Sequence, residues 1–378
     1  MDENQRIRRS GTMVLRAGLI LFAALSGCKP SEPLRIGFVA GISGRVADSG
    51  VTGRDAAQFA VEECNKAGGI GGRRVVLVTK DDEHRPEVAG RVVRELISEG
   101  VSAIVGPMTS DMGMAVVPIV DEARILMVSP AVTTEALTGI DDFFFRVVST
   151  TRTFASRNAA YQIKTNRMSR VAAAYDLGNK FFTQNWLDNF RTAFAEGGGE
   201  IITTVSFESG KSTTFLQIAQ DLLIAAPNGI LIVANSMDSA LLCLQIRRLN
   251  GSIPITLSDW GATERLLELG GKAVEDVTVV QTLDRDSQAP GYTAFRKAYM
   301  ERFHREPGFP GVYTFDAMSL VLEALAKQKP GRSLKETVLD IRRFEGLQGS
   351  YSFDDFGDVK RPHGSISVVR DGKFVVLE

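Results

Sequence analysis

Between Leu34 and Gln281 the sequence repeats one beat with a regularity that few architectures can hold: a short apolar run, then a longer stretch with apolar residues at helical spacing, then another short apolar run. Leu34-Arg35-Ile36-Gly37-Phe38-Val39 predicts a strand buried on both faces. The next stretch, Val51 to Ala67, carries Ala56, Phe59, Ala60, Cys64 and Ala67 at helical spacing and is stopped by Gly68-Gly69. The same pattern predicts strands over 75–79, 101–105, 125–129, 170–175, 200–206, 229–234 and 254–258. Between them it predicts helices over 86–99, 110–123, 152–164, 183–197, 214–225 and 238–249. Strands and helices in such alternation build parallel sheets covered by helices on both faces.

The beat breaks twice. Residues 130–151 hold a polar loop, Thr133-Thr134-Glu135, and then Phe143-Phe144-Phe145-Arg146-Val147-Val148 running into Ser149-Thr150-Thr151, which predicts a first crossing between two similar lobes. Near Gln281-Thr282-Leu283-Asp284 a strand gives way to three helices, over 288–303, 312–327 and 333–342, marking a second crossing. The tail turns to strands at 349–353, 365–370 and 373–377, with Asp371-Gly372 as a hairpin turn.

The residue inventory excludes most chemistry. Lys and Arg (44) nearly balance Asp and Glu (45), so no basic face suits nucleic acid. The three histidines, His84, His304 and His363, stand apart in polar settings, without a His-Glu-x-x-His pair for zinc. Neither a Gly-x-Ser-x-Gly elbow nor a phosphate loop occurs. Gly68-Gly69-Ile70-Gly71-Gly72 ends a helix and leads into a strand, the reverse of a dinucleotide fingerprint. Asp81-Asp82-Glu83 reads as a solvated acidic loop rather than a metal site. Cys64 and Cys243 read as small buried hydrophobes. No catalytic residue, metal or cofactor is expected.

The N-terminus reads as an address. Arg6, Arg8, Arg9 and Arg16 precede the apolar run Ala17–Leu25, too short to span a bilayer, which needs ~20 apolar residues. Leu25-Ser26-Gly27-Cys28 has the order of a bacterial lipobox. The expectation is a signal peptide over 1–27, lipidation of Cys28 and a tether over 28–33, placing the protein in the periplasm or on the outer face of the cell membrane.

Six segments in order carry a family resemblance: Gly41–Gly50 with Gly53, Asn65–Gly72, Lys80-Asp81-Asp82, Val105-Gly106-Pro107, Met127–Ala131, and Glu268–Glu275. Together they resemble the branched-chain amino-acid binding proteins of ABC transporters, which have the type I periplasmic binding fold. The resemblance implies two doubly wound parallel-sheet lobes joined by three hinge strands, with lobe one at 34–149 and 282–361 and lobe two at 150–281 and 362–378. It implies capture of an amino acid by lobe closure and delivery to an ABC transporter permease, with a monomer expected. A ligand sensor of the same fold, taking an amide or other small polar solute, is the alternative.

Carried onto this chain, the family's head-group contacts fall on Ser110, at a helix start, and on Ala131 and Thr133, just past a strand. A helix N-terminus presents free N–H groups to a carboxylate, and a backbone carbonyl at Ala131 suits an ammonium. The resemblance puts the acidic partner at Asp259 and the aromatic lid at Phe182, with Phe181 as the neighbouring candidate. A further aromatic position falls on the polar pair Asn235-Ser236, and the side-chain pocket is expected to draw on Met108, Ser49, Trp260 and Tyr313.

Overall fold

A computed structural model describes residues 32–211, 214–361 and 364–377. The expected signal peptide, Cys28, most of the tether and His363 lie outside the described residues.

The first run of elements is β1 (Leu34–Ala40), α1 (Ala47–Lys66), β2 (Val75–Asp81), α2 (Pro86–Ser98), β3 (Ala103–Val105), α3 (Ser110–Ala123), β4 (Met127–Ser129) and β5 (Phe144–Arg146). Its strands form one parallel sheet in the order β2-β1-β3-β4-β5, with Leu34 opposite Val75 and Ala40 opposite Asp81. The second run is α4 (Thr151–Lys164), β6 (Arg170–Asp176), α5 (Lys180–Glu196), β7 (Glu200–Phe207), α6 (Phe215–Ile224), β8 (Gly229–Val233), α7 (Ser236–Leu249), β9 (Ile255–Leu257), α8 (Glu264–Gly270) and β10 (Thr278–Gln281). These strands repeat the first order as β7-β6-β8-β9-β10, again parallel.

The chain then returns to the first lobe with α9 (Pro290–Phe303), α10 (Gly308–Lys327) and α11 (Leu334–Ile341). Of these, α10 lies along α1 and reaches β3 and β4. Three short strands, β11 (Phe344–Gly346), β12 (Gly349–Phe353) and β13 (Val359–Lys360), pair antiparallel. Finally β14 (Ser365–Arg370) and β15 (Lys373–Val376) join the second sheet antiparallel beside β10. Asp371 and Gly372 at their turn have φ of 50° and 67°, the positive values a two-residue hairpin requires.

Core strands are apolar on both faces because helices cover both. Ile36, Phe38, Val39 and Ala40 of β1 and Ile230 to Val233 of β8 are fully buried. Three readings from sequence need correction. The Phe143–Val148 stretch is not all crossing: Phe144, Phe145 and Arg146 are buried and pair with β4 as a fifth strand before the chain leaves at Val147. The first helix begins at Ala47, not Val51, and Gly50 permits this, since a Cβ there would lie 2.0 Å from the Gly41 carbonyl oxygen. Lastly, α8, β11 and β13 were not anticipated, being too short for a periodic signal.

Candidate functional site

In open α/β sheets, side chains that meet a ligand gather beyond the carboxyl ends of the strands, where strand order reverses. Both sheets place such ends on one shared cavity. From the first come Met108, Thr109 and Ser110, after β3, and Ala131, after β4; from the second come Asn179, after β6, and Asp259 and Trp260, after β9. Ser49 and Phe182, near the starts of α1 and α5, and Phe309, at the start of α10, complete the lining. With the lobes closed, the space left within this lining is about 20 Å³, room for about one water. Phe182 meets Trp260 edge to face, with ring centroids 5.6 Å apart and planes at 76°, so the wall is rigid and apolar.

Charge is concentrated at one point. Asp259 is buried, and its Oδ1 accepts a hydrogen bond of 2.9 Å from Trp186 Nε1. Burial raises its pKa from 3.8 to about 6, against the smaller stabilisation that its own backbone N–H and Trp186 give the anion. Among the lining residues no other ionisable side chain appears. On the first-lobe side, Ser110 opens α3, and its Oγ accepts from Thr134 N at 3.3 Å. Thr133 is buried, and its Oγ1 has no hydrogen-bond partner.

Direct bonds between the lobes flank the cavity. Asn179 Oδ1 accepts from Asp111 N (3.0 Å), and Asp111 Oδ1 accepts from Phe181 N (2.7 Å), so the start of α3 is tied to the start of α5. Asp48 Oδ2 accepts from Ser236 Oγ (2.8 Å) and Thr263 Oγ1 (2.7 Å), and Arg45 pairs with Asp238 at 2.5 Å. On the opposite flank, Glu135 N donates to Asn185 Oδ1 (3.1 Å) and Asn189 Nδ2 donates to Glu135 Oε2 (2.9 Å). The lobes are closed on one another. A larger open groove, lined by charges of both signs including Arg45, Asp48, Glu264 and Arg305, runs along this seam, with Arg45, Asp48 and Thr263 in its wall. It offers no enclosed apolar wall and lacks the features of a small-solute site.

Of the residues singled out from sequence, Ser49, Met108, Ser110, Ala131, Phe182, Asp259 and Trp260 border the cavity. Thr133 stands outside the lining, and so does Asn235, which is a helix cap: its Oδ1 accepts from Asp238 N at 2.9 Å and its Nδ2 donates to Asp238 Oδ2 at 2.8 Å. Phe181 is exposed at the rim and Tyr313 lies one turn beyond Phe309. The acidic loop is solvated only in part: Glu83 is exposed and Asp81 half-buried. Asp82 is buried, and its Oδ1 accepts from His84 N at 2.8 Å; burial foremost raises its pKa to about 7. His84 is half-buried with its ring turned inward: Nδ1 lies 3.2 Å from Thr109 Oγ1, the ring centroid lies 6.2 Å from that of Trp260, and burial of the ring lowers its pKa to about 4. Thr109, Asn179 and Phe309 were missed. Asn179 follows a strand in an Asp-Leu-Gly-Asn turn that could have drawn attention, whereas Phe309 arrives from a distant helix without a local signal.

Comparison with known proteins gives one consistent picture. The sequence profile of the family described as "Periplasmic binding protein" matches residues 33–370. Leu/Ile/Val-binding protein homolog 3 of Brucella melitensis is 24% identical over 366 residues, covering 95% of this chain and 98% of that one. A leucine-binding protein of Thermotoga maritima superposes with a TM-score of 0.84 at 24% identity, over 91% of this chain and 98% of the other. A branched-chain amino acid transporter substrate-binding protein of Streptococcus pneumoniae, solved with isoleucine, gives 0.82 at 23% identity, over 91% and 99%.

Proposed function

The chain belongs to the periplasmic binding protein family, and on that premise we propose that it captures a neutral amino acid between its two lobes outside the cytoplasm and delivers it to an ABC transporter permease. The lobes are residues 34–149 with 282–361, and 150–281 with 362–378. Cys28 carries the lipid anchor and the mature protein is a monomer.

The observation that carries this reading is Asp259. A carboxylate buried against an aromatic wall, with Trp186 as its one side-chain donor, is the partner an ammonium group requires. Opposite it, the N-terminus of α3 with the Ser110 hydroxyl suits the ligand carboxylate. The Thr133 hydroxyl stands outside the present lining but is buried without a partner, next to the Thr134 N–H that Ser110 Oγ accepts from, and it turns to the carboxylate when the ligand enters. Ala131 contributes its carbonyl to the ammonium. Met108, Trp260, Phe182 and Phe309 surround an uncharged side chain, and Ser49 adds one polar edge. No second acid or base in the lining serves a charged ligand side chain. A structural relative solved with isoleucine is a substrate-binding protein of a branched-chain amino acid transporter.

Calorimetric titration of the mature protein with leucine, isoleucine, valine, alanine and threonine tests this. Micromolar binding of at least one is expected, corresponding to about 8 kcal/mol. Ser110→Ala and Thr133→Ala should each weaken it by about 1–3 kcal/mol without unfolding the protein. Absence of heat from every amino acid and short amide defeats the reading. Cys28→Ser should release the protein from membranes.

A further inference from the structure

The three chain crossings between the lobes, at 147–150, at 282–289 and between Arg361 and Gly364, are linked by one buried polar cluster, none of whose side chains lines the ligand cavity. Arg361 stands at the start of the third crossing. Its Nη1 donates to the carbonyl of Val147, in the first crossing, at 2.7 Å. Its Nη2 donates to Asp316 Oδ2, on α10, at 3.1 Å. The guanidinium carbon lies 4.7 Å from the ring centroid of Tyr313 and 4.9 Å from that of Tyr351. The Tyr313 hydroxyl in turn donates to the carbonyl of Thr282, in the second crossing. Asp316 is fixed from its other side by Leu347 N at 2.8 Å. Gly364 also presses on the end of β10, just before the second crossing, since a Cβ there would fall 1.8 Å from the Gln281 carbonyl oxygen.

We propose that Arg361, Asp316 and Tyr313 form a clamp that locks the three crossings to one another and so sets the angle and range through which the lobes swing. The side chains of Arg361 and Asp316 are 7% and 1% exposed. Burying two charges is costly, and apolar residues of the same volume are often as stabilising, so such a pair is a poor device for stability alone. What it supplies is direction. A guanidinium has a fixed fork of donors, and here one arm reaches the first crossing while the other is held by α10, whose Tyr313 reaches the second. Because α10 also delivers Phe309 to the cavity, one turn before Tyr313, the helix that touches the ligand is the helix that holds the hinge. The inference rests on lobe closure being the working motion, as proposed above, but not on the identity of the solute.

Two variants test it, both read without ligand. Tyr313→Phe removes only the tie to Thr282. The double substitution Arg361→Met with Asp316→Leu removes both charges together, leaving neither orphaned. Hydrogen–deuterium exchange and small-angle X-ray scattering are measured on the ligand-free full chain. The expected result is faster exchange, by about tenfold, at all three crossings in each variant, with a scattering profile shifted towards a wider spread of lobe separations. Faster exchange confined to the segment after Gln281, or unchanged scattering in Tyr313→Phe, overturns the proposal, because a local structural role predicts that outcome. Should the double variant not fold, Tyr313→Phe decides alone. Titration of the unsubstituted protein with L-leucine runs in parallel: its failure bears on the function, while the ligand-free measurements still judge the clamp.

Discussion

Asp259→Asn should do two opposite things at once. In the ligand-free protein the carboxyl pKa is raised from 3.8 to about 6 by burial. The folded state therefore binds a proton more tightly than the unfolded chain between those values, and stability falls as pH rises through that window. At about 1.4 kcal/mol per pH unit, the penalty above pH 6 amounts to about 3 kcal/mol. An asparagine carries no such penalty, and its side-chain oxygen can still accept from Trp186 Nε1. At pH 8 the variant should thus unfold at higher denaturant concentration than the parent, by up to about 3 kcal/mol, with the difference vanishing near pH 4. Its affinity for an amino acid should fall, because a buried ammonium deprived of its partner costs about 2–5 kcal/mol. Urea melts at pH 4 and 8, with calorimetric titration on the same samples, measure both. Equal affinity in parent and variant refutes the ammonium assignment, and a pH-independent stability difference refutes the burial argument.

The same charges give ligand affinity a pH dependence. His84, with a pKa of about 4 in the closed structure against 6.5 ordinarily, regains its proton when the lobes part, so acid favours opening; Asp259, neutralised below about pH 6, loses its ammonium partner in the same direction. Lowering pH from 8 to 5.5 should weaken binding about tenfold through His84. In His84→Gln that tenfold change should be lost, and an affinity of the parent that rises in acid contradicts the His84 assignment. Asp48 touches no part of the cavity but accepts two hydroxyl bonds from the other lobe. Asp48→Ala should therefore raise the dissociation rate about tenfold or more, and an unchanged rate in stopped-flow displacement would show that this seam does not hold the closed state.

The fold was open to inspection in the sequence because its signal is local. Each strand of the two sheets is an apolar run bounded by glycine or a polar turn, and each helix repeats at its own period, so the βα order follows from neighbours alone. What escaped was set by distance. Phe309 reaches the cavity from a helix that begins about two hundred residues after Ser110 in the chain, and only the second crossing brings it there. Asn235 falls at an aromatic position of the family, which points to a ligand contact, yet Asn after a strand and before a helix is a strong cap, and Asp238 three residues on supplies the backbone N–H it accepts from. Asp82 and His84 look solvated in a polar string. Burial depends on the loop being folded against β3's end and on Trp260 arriving from the other lobe, neither of which leaves a trace in local composition.

Closure and recognition are one event in this molecule, and the reason lies in how the seam and the cavity divide the work. The bonds between lobes are polar and partly exposed: Arg45 with Asp238 has one side chain 37% exposed, and such pairs contribute only about 0–1 kcal/mol. Hydrogen bonds such as those of Asp48 and Asp111 replace bonds to water and yield about 0.5–1.5 kcal/mol each, more where the acceptor is charged. Set against them is the burial of Asp259, about 3 kcal/mol when its charge has no cation beside it, and of His84, which closure strips of solvent. These terms are of similar size, so neither the open nor the closed arrangement dominates strongly without a solute. An ammonium beside Asp259 removes the largest cost in the closed state and none in the open one. A ligand shifts such a balance only by its difference in affinity for the two states, and here that difference is concentrated on one carboxylate. A solute of the right shape without the cation would fill the cavity and still leave the lobes poorly closed.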